Sequence, residues 1–204
     1  MSRPPDPDLE NRILNAAQKL WKKEGAKALT MRAVARAAGT NTPAVYRRFR
    51  TRRDIVRALI RRTQLEVGSV LAPCATVEKA VAAYLEYGLS HPHEYELFYQ
   101  QLQELSGTAR PGRVPSLKDL RPNFAMMERK LAEELGGAPE DHRRLGLALW
   151  ALTHGTAALL ILRAVPQGEE AALRSGFTAA VGTLLRCATQ NQGRNRVFPQ
   201  LSRI

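Results

Sequence analysis

The sequence is poor in cysteine. Only Cys74 and Cys187 occur among 204 residues, and they stand far apart, without the spacing of a metal or redox motif. Two isolated thiols indicate a reducing compartment, and we expect a cytoplasmic protein. The first residues contain no apolar segment of the signal-peptide type, so no secretory signal is expected.

Motifs of the common enzyme classes are absent as well. We find no phosphate-binding glycine loop, no dinucleotide fingerprint and no HExxH sequence. Ser106, Asp141 and His154 are scattered without a recognisable nucleophile arrangement. A group of metal-ligand residue types has the spacing of no strong zinc motif: His91, His93, Glu94 and Glu96. We therefore expect no enzymatic activity, no cofactor and no metal ion, with a helical enzyme carrying a basic arm as a minor alternative.

Stretches that alternate apolar and polar residues, as strands do, are also missing. Apolar residues recur instead at helical spacing, for example between Leu9 and Glu24. The sequence predicts an all-α fold of about nine helices. We expect a disordered arm over residues 1–8, a small helical domain over 9–53, a larger helical domain over 54–190 and a flexible tail over 191–204.

Acidic residues are scarce in the first third of the chain. Residues 1–62 contain sixteen lysines and arginines against five aspartates and glutamates, a net charge of +11, whereas the remaining residues carry only +1. A concentrated positive charge is typical of a module that binds a polyanion, either nucleic acid or an anionic membrane surface.

Two short helices surround a glycine in this basic region. Thr30 is placed to cap a helix that ends at Gly39, and the Asn-Thr-Pro sequence starting at Asn41 begins a helix that runs to Phe49. Two short helices joined by a tight turn form a helix-turn-helix, whose second helix enters the DNA major groove.

The second of these helices has distinct faces. On a helical wheel Val45 and Phe49 point to the core, whereas Arg47 lies opposite and is suited to pair with guanine. Pro43 and Ala44 are suited to thymine methyl groups, and phosphates are expected near Thr30, Tyr46, Arg48 and Arg52. The full predicted DNA-binding set is Thr30, Thr40, Asn41, Thr42, Pro43, Ala44, Tyr46, Arg47, Arg48 and Arg52.

The stretch from about Asn11 to Leu59 resembles the N-terminal domain of TetR-family transcriptional regulators. The matching residues are Ala38, Gly39, Tyr46 and Phe49. Thr40 stands where the family usually has an apolar residue, and Pro43 where a small flexible residue is common. The resemblance implies phosphate contacts by Tyr46 and Arg52, and places Thr42, Ala44 and Arg47 near bases.

The larger domain is nearly neutral and supplies aromatic and methionine side chains on its helices. Such side chains either fill the core or line an apolar cavity. "HPHEYELFYQ" and "WALTHGTAALLI" resemble a C-terminal subtype of TetR regulators marked by Trp150, His154 and Gly155, which implies an effector-binding and dimerisation domain. The candidate effector residues are Tyr84, Tyr87, Phe98, Tyr99, Met126, Met127, Trp150 and His154. For His154 the apolar character of its helix favours a hydrogen-bonded place in the core over a cavity-lining role.

The last two long helices have broad apolar faces. These faces fit an intramolecular core or a four-helix interface between two copies, and the resemblance favours the dimer. The predicted interface consists of Ala157, Leu160, Ile161, Phe177, Val181, Leu184 and Leu185. Residues 145–162 are long enough to span a membrane, but polar residues at their centre favour a buried or interface helix.

Together these features predict a ligand-responsive transcriptional regulator. The resemblance implies a homodimer that represses at a palindromic operator and is released by a small, largely apolar effector. An architectural DNA-binding protein and a membrane-surface protein remain the alternatives that share the same basic charge.

Overall fold

The computed structural model describes residues 8–95 and 121–197, apart from the side chains of residues 26 and 191–197. These residues form eight α-helices and no strand, and the backbone is helical again over residues 92–95. The all-α architecture of about nine helices is confirmed for this part of the chain. The helices are α1 (Leu9–Glu24), α2 (Met31–Ala37), α3 (Thr42–Arg48), α4 (Arg52–Leu71), α5 (Val77–Ser90), α6 (Pro122–Leu135), α7 (Arg143–Ile161) and α8 (Glu170–Val197).

The chain divides into two compact units. Among the described residues, the first unit contains 8–66 and 91–95, and the second contains 67–90 and 121–197. The division therefore falls within α4, which is one continuous helix. The terminal residues 1–7 and 198–204 lie outside the described ranges.

Helices α2 and α3 begin at side-chain caps. The Thr30 hydroxyl accepts a hydrogen bond from the backbone N–H of Ala33 at 3.1 Å, and Asn41 Oδ1 accepts one from Ala44 at 2.9 Å. Each cap satisfies a backbone donor that has no partner inside the helix, which fixes the first turn of a seven-residue element. Helices this short are marginal alone, so packing must stabilise them.

One apolar core holds the first unit together. Ile13, Val34, Val45, Ile55 and Ile60 are completely buried in it, and they come from α1, α2, α3 and α4. Three of these helices thus pack around the helix that carries the arginine-rich surface. The core fixes the orientation of α3 from its inner side.

In the second unit, side chains of α6 form hydrogen bonds both to the segment after α4 and to the start of α5. Lys130 Nζ donates to the carbonyl oxygens of Ala72 and Cys74, at 3.2 and 2.7 Å. One turn further along α6, Glu134 accepts the backbone N–H of Val77 at 2.7 Å. A cation therefore lies just beyond the C-terminus of α4, and an anion lies at the N-terminus of α5, as the helix dipoles favour.

Candidate functional site

The outer face of α3 is basic and accessible. Pro43, Tyr46, Arg47, Arg48 and Arg50 are exposed, and half of the Tyr46 surface is open to solvent. Neither α2 nor α3 contains an acidic residue. An exposed aromatic ring surrounded by guanidinium groups, on a helix that a buried core orients, suits contact with a nucleic-acid groove.

The structure divides the predicted DNA contacts by accessibility. Ala44 is only 4% exposed and packs in the core with Val45, so its methyl group is turned away from the outer face. Thr40, Thr42 and Arg52 are half-buried. The exposed members of the predicted set are Thr30, Asn41, Pro43, Tyr46, Arg47 and Arg48.

The segment after α3 is fixed by side-chain hydrogen bonds. Arg52 Nε donates to the carbonyl oxygen of Leu29 at 2.8 Å, which ties the start of α4 to the loop before α2. Thr51 and Asp54 form a reciprocal cap, since Asp54 Oδ2 accepts the Thr51 backbone N–H at 2.9 Å and Thr51 Oγ1 accepts the Asp54 N–H at 3.3 Å. Arg52 therefore has a structural role in addition to its predicted phosphate contact.

A second candidate site lies within the second unit. Four of the predicted effector residues, Tyr84, Tyr87, Met126 and Met127, pack around a buried cluster. That cluster consists of Val67, Leu71 and Ala80. The first two of these residues belong to the last turns of α4, so the candidate effector residues contact this helix directly.

Trp150 and His154 join the same group through ring contacts. The His154 ring meets the Tyr84 ring edge-on, with centroids 5.6 Å apart, and it meets the Trp150 ring at 5.0 Å. The Tyr84 hydroxyl lies 3.4 Å from His154 Nε2. The structure thus brings six predicted effector residues together, while Phe98 and Tyr99 lie outside the described residues.

Burial keeps both titratable groups of this ring cluster neutral. Burial raises the pKa of Tyr84 to about 12, although the positive charge of Arg121 and a hydrogen bond with Trp150 act in the opposite direction. Burial lowers the pKa of His154 to about 3. At neutral pH the cluster therefore presents an uncharged imidazole and an uncharged phenol.

Arg121 and Glu128 are two buried charged residues to which the sequence did not point. Arg121 is 4% exposed, with its guanidinium carbon 5.1 Å from the centre of the Trp150 ring, and Glu128 is fully buried. Arg121 is the N-cap residue of α6 and Glu128 lies within this helix; in the sequence both stand at helical spacing from the buried Phe124 and Leu131. A charged residue at helical spacing with apolar residues is the signal that identifies them.

Among the described residues, no group of three or more histidines, cysteines or carboxylates is arranged to hold a metal ion. His91, His93 and Glu94 of the predicted cluster are described, and Glu96 is not. Glu94 instead forms an ion pair with Lys22 at 3.0 Å.

The predicted dimer residues divide into two groups. Ala157, Phe177, Val181 and Leu185 are at most 8% exposed within a single chain, so they present little area to a second copy. The other three, Leu160, Ile161 and Leu184, are half-buried.

A different side of α7 is both apolar and accessible. Exposed residues recur there every three or four positions, four of them on α7 and the last at its C-cap: Leu147, Ala151, Gly155, Leu159 and Leu162. We call this set the α7 stripe. By length and composition alone, Pro139–Ile161 meets the requirement for crossing a membrane, a requirement that apolar core helices also meet.

Comparison with known families gives two matches along the chain. Residues 13–59 match the profile of bacterial regulatory proteins of the tetR family. Residues 77–184 match the profile described as the tetracyclin repressor-like C-terminal domain. These two segments include both candidate sites. No curated protein matches the chain.

Solved structures share the fold over nearly the whole length. SCO4313, assigned as a regulatory protein, has a TM-score of 0.66 and 23% identity, covering 90% of this chain and 99% of its own. The multidrug binding protein EbrR, solved with imidazole, has a TM-score of 0.59 and 22% identity, covering 90% and 93%. A single-residue variant of TetR from Acinetobacter baumannii AYE, solved with minocycline, has a TM-score of 0.58 and 15% identity, covering 90% and 97%.

Proposed function

The chain belongs to the TetR family of bacterial regulatory proteins, and we propose that it is a dimeric, cytoplasmic repressor. Members of this family are ligand-responsive DNA-binding regulators rather than enzymes. In this proposal it binds a palindromic operator and leaves it when a small, largely apolar effector binds. The accessible, arginine-rich outer face of α3, held from the inside by a buried core, is the observation that supports it most strongly.

At the operator, α3 enters the major groove. Arg47 points away from the buried Val45 and donates to a base edge, preferentially to guanine. Tyr46, Arg48 and Thr30 contact phosphates, and these contacts set the register of the helix rather than its sequence preference. Pro43 supplies an apolar contact for a thymine methyl group.

The effector binds among the rings and methionines of the second unit. The neutral Tyr84 and His154 offer hydrogen-bonding groups, and Trp150, Met126 and Met127 offer apolar contact area. The solved structures of TetR with minocycline and of EbrR with imidazole each hold a small organic molecule, which supports a small organic effector here.

Helix α4 is the proposed route from effector to DNA. Val67 and Leu71, at its C-terminal end, pack against the candidate effector residues, and its N-terminal end at Arg52 follows directly on the DNA-reading segment. An effector releases DNA only to the extent that it binds the released conformation more tightly than the DNA-bound one.

The decisive experiment measures sequence-selective DNA binding. The wild-type chain is used to select duplexes from a random pool, and the affinity of Arg47→Ala for the selected operator is compared with its affinity for random DNA. We expect operator binding to weaken by about 1–3 kcal/mol, with relaxed preference at one base pair, because one bidentate base contact is lost.

Lys19→Ala is the matched control, since it removes one charge from an exposed position of α1. It should lower both affinities slightly and equally. An Arg47→Ala chain that loses the same factor on random DNA as on the operator would contradict base reading. A wild-type chain that coats every duplex equally would favour the architectural protein.

A further inference from the structure

Residues 91–95 contact the C-terminal end of α1. They follow directly after α5, yet they belong to the first unit. The indole Nε1 of Trp21 donates to the carbonyl oxygen of His93 at 2.7 Å, and Lys22 Nζ lies 3.0 Å from Glu94 Oε1. We call this arrangement, residues 91–95 with Trp21 and Lys22, the α1 clasp.

The α1 clasp is buried rather than superficial. Trp21 is 3% exposed and Glu94 is 4% exposed, while Lys22 keeps 42% of its surface in solvent. Gly25 ends α1 at a φ of 69°, and a Cβ placed there would lie 3.7 Å from His93 Nδ1. An ion pair with one buried partner is screened much less than a surface pair, so its loss has a larger effect.

A second set of polar contacts holds the same helix one turn earlier. Arg62 Nη1 donates to Asn15 Oδ1 at 2.7 Å and to Gln18 Oε1 at 3.2 Å, and Gln18 Nε2 donates to Glu66 Oε1 at 2.8 Å. These contacts attach α1 to α4. The α1 clasp adds an attachment at the C-terminal end of α1, beyond these contacts and the core that α1 shares with α2 and α3.

We propose that Trp21, Lys22 and Glu94 are positioning residues for operator binding. The α1 clasp fixes the direction of α1, whose buried side packs in the same core as α2 and α3, and it thereby holds α3 in the DNA-binding orientation. His93 is only three residues beyond the end of α5, so a shift of that end acts on α1 through the backbone. This inference rests on the proposed repressor function.

The test compares variants with the same change in charge. Lys22→Met removes the ion pair, and Lys23→Met removes a neighbouring lysine that is 81% exposed and pairs with the adjacent Glu24. Affinity of the full chain for the operator selected by the wild type is measured by fluorescence anisotropy at one salt concentration. We expect Lys22→Met to raise the operator Kd about three- to tenfold more than Lys23→Met does.

Glu94→Gln distinguishes the two explanations by the direction in which DNA affinity changes. It makes the chain more positive, so electrostatic attraction alone would tighten DNA binding, whereas loss of the α1 clasp weakens it. The double variant Lys22→Met with Glu94→Gln should weaken binding by less than the product of the two single effects, because both remove one interaction. Trp21→Phe, which keeps the ring but loses the donor, should act in the same direction.

Thermal unfolding of each variant separates positioning from stability. A lower melting temperature with an unchanged operator Kd, measured well below that temperature, would overturn the proposal and leave the α1 clasp as a folding contact. Equal effects of Lys22→Met and Lys23→Met, or tighter binding by Glu94→Gln, would also overturn it. If the wild type itself shows no preference among duplexes, it is the proposed function that fails.

Discussion

At the scale of single residues, the turn between α2 and α3 depends on one backbone conformation. Gly39 has a φ of 63°, in the left-handed region, and the N–H of the following Thr40 donates to the carbonyl oxygen of Ala35 at 3.0 Å. No atom lies within 4 Å of the place where a Cβ would stand. The requirement for glycine is therefore conformational and not steric crowding by a neighbour.

Replacing this glycine should cost backbone strain alone. We expect Gly39→Ala to lower the free energy of unfolding of the first unit by about 1–2 kcal/mol. Gly39→Asn should cost less, because asparagine tolerates the left-handed region better than alanine. Urea unfolding followed by helical circular dichroism measures both. Equal losses for the two variants would show that the turn is limited by packing instead.

His154 makes stability depend on pH. Its pKa is about 3 in the folded chain, against 6.5 for an ordinary histidine, because burial disfavours the imidazolium. Between these values the unfolded chain binds a proton that the folded chain does not, so stability falls as the pH drops from about 6.5 toward 3. Above pH 6.5 this residue contributes no slope.

We expect His154→Gln to make the free energy of unfolding less dependent on pH below pH 6.5. The free energy of unfolding of the wild type should fall more steeply than that of the variant, by at most about 1.4 kcal/mol per pH unit. Urea unfolding at several pH values between 4 and 8 gives the two curves. Parallel curves through pH 5 would mean that His154 is not the buried neutral group that the ring contacts indicate.

At the scale of helices, local signals determined most of the boundaries. Thr30 and Asn41 cap the observed α2 and α3 as predicted, and α1 ends at Glu24, where its apolar periodicity ends. Helix α6 likewise begins at a proline and ends where two glycines follow. Capping acts within four residues along the chain, so the sequence alone contains the necessary information.

Helix α8 continues to Val197, beyond residue 190, where the larger domain was predicted to end. Other helical features that the sequence did not reveal depend on tertiary contacts. Ala44 lies at the edge of the α3 face on a helical wheel, and only packing places it inside the core. Periodicity showed that α7 and α8 have apolar faces, but not whether the same chain or another one covers them.

At the scale of the whole molecule, charge and apolar surface occur in different places. The net charge of +11 lies in residues 1–62, whereas the exposed apolar residues of the α7 stripe lie in the second unit. The phosphates of DNA attract the basic region. The α7 stripe is suited to pack against another apolar face, such as the same stripe of a second copy. A dimer that pairs the stripes of two copies would carry two DNA-binding domains, as a palindromic site requires.

We therefore expect two copies of the chain to dimerise through the α7 stripe. Leu159 is 40% exposed, and Leu159→Glu would place a carboxylate in the proposed dimer interface without removing any core side chain. We expect the dimer dissociation constant to rise about 10- to 100-fold, since an unpaired charge buried at an interface costs roughly 1.4–3 kcal/mol. Sedimentation velocity across a range of protein concentrations measures it.

The matched control is Leu65→Glu, which adds the same charge at a leucine of α4 that is 76% exposed. This variant should sediment as the wild type does, because exposed surface that no partner covers loses nothing when it becomes charged. Operator binding by Leu159→Glu should fall together with dimerisation, since two linked DNA-binding domains bind far more tightly than one. A Leu159→Glu chain that remains dimeric at the concentrations where the wild type does would contradict an interface at the α7 stripe and direct attention to the half-buried Leu160, Ile161 and Leu184.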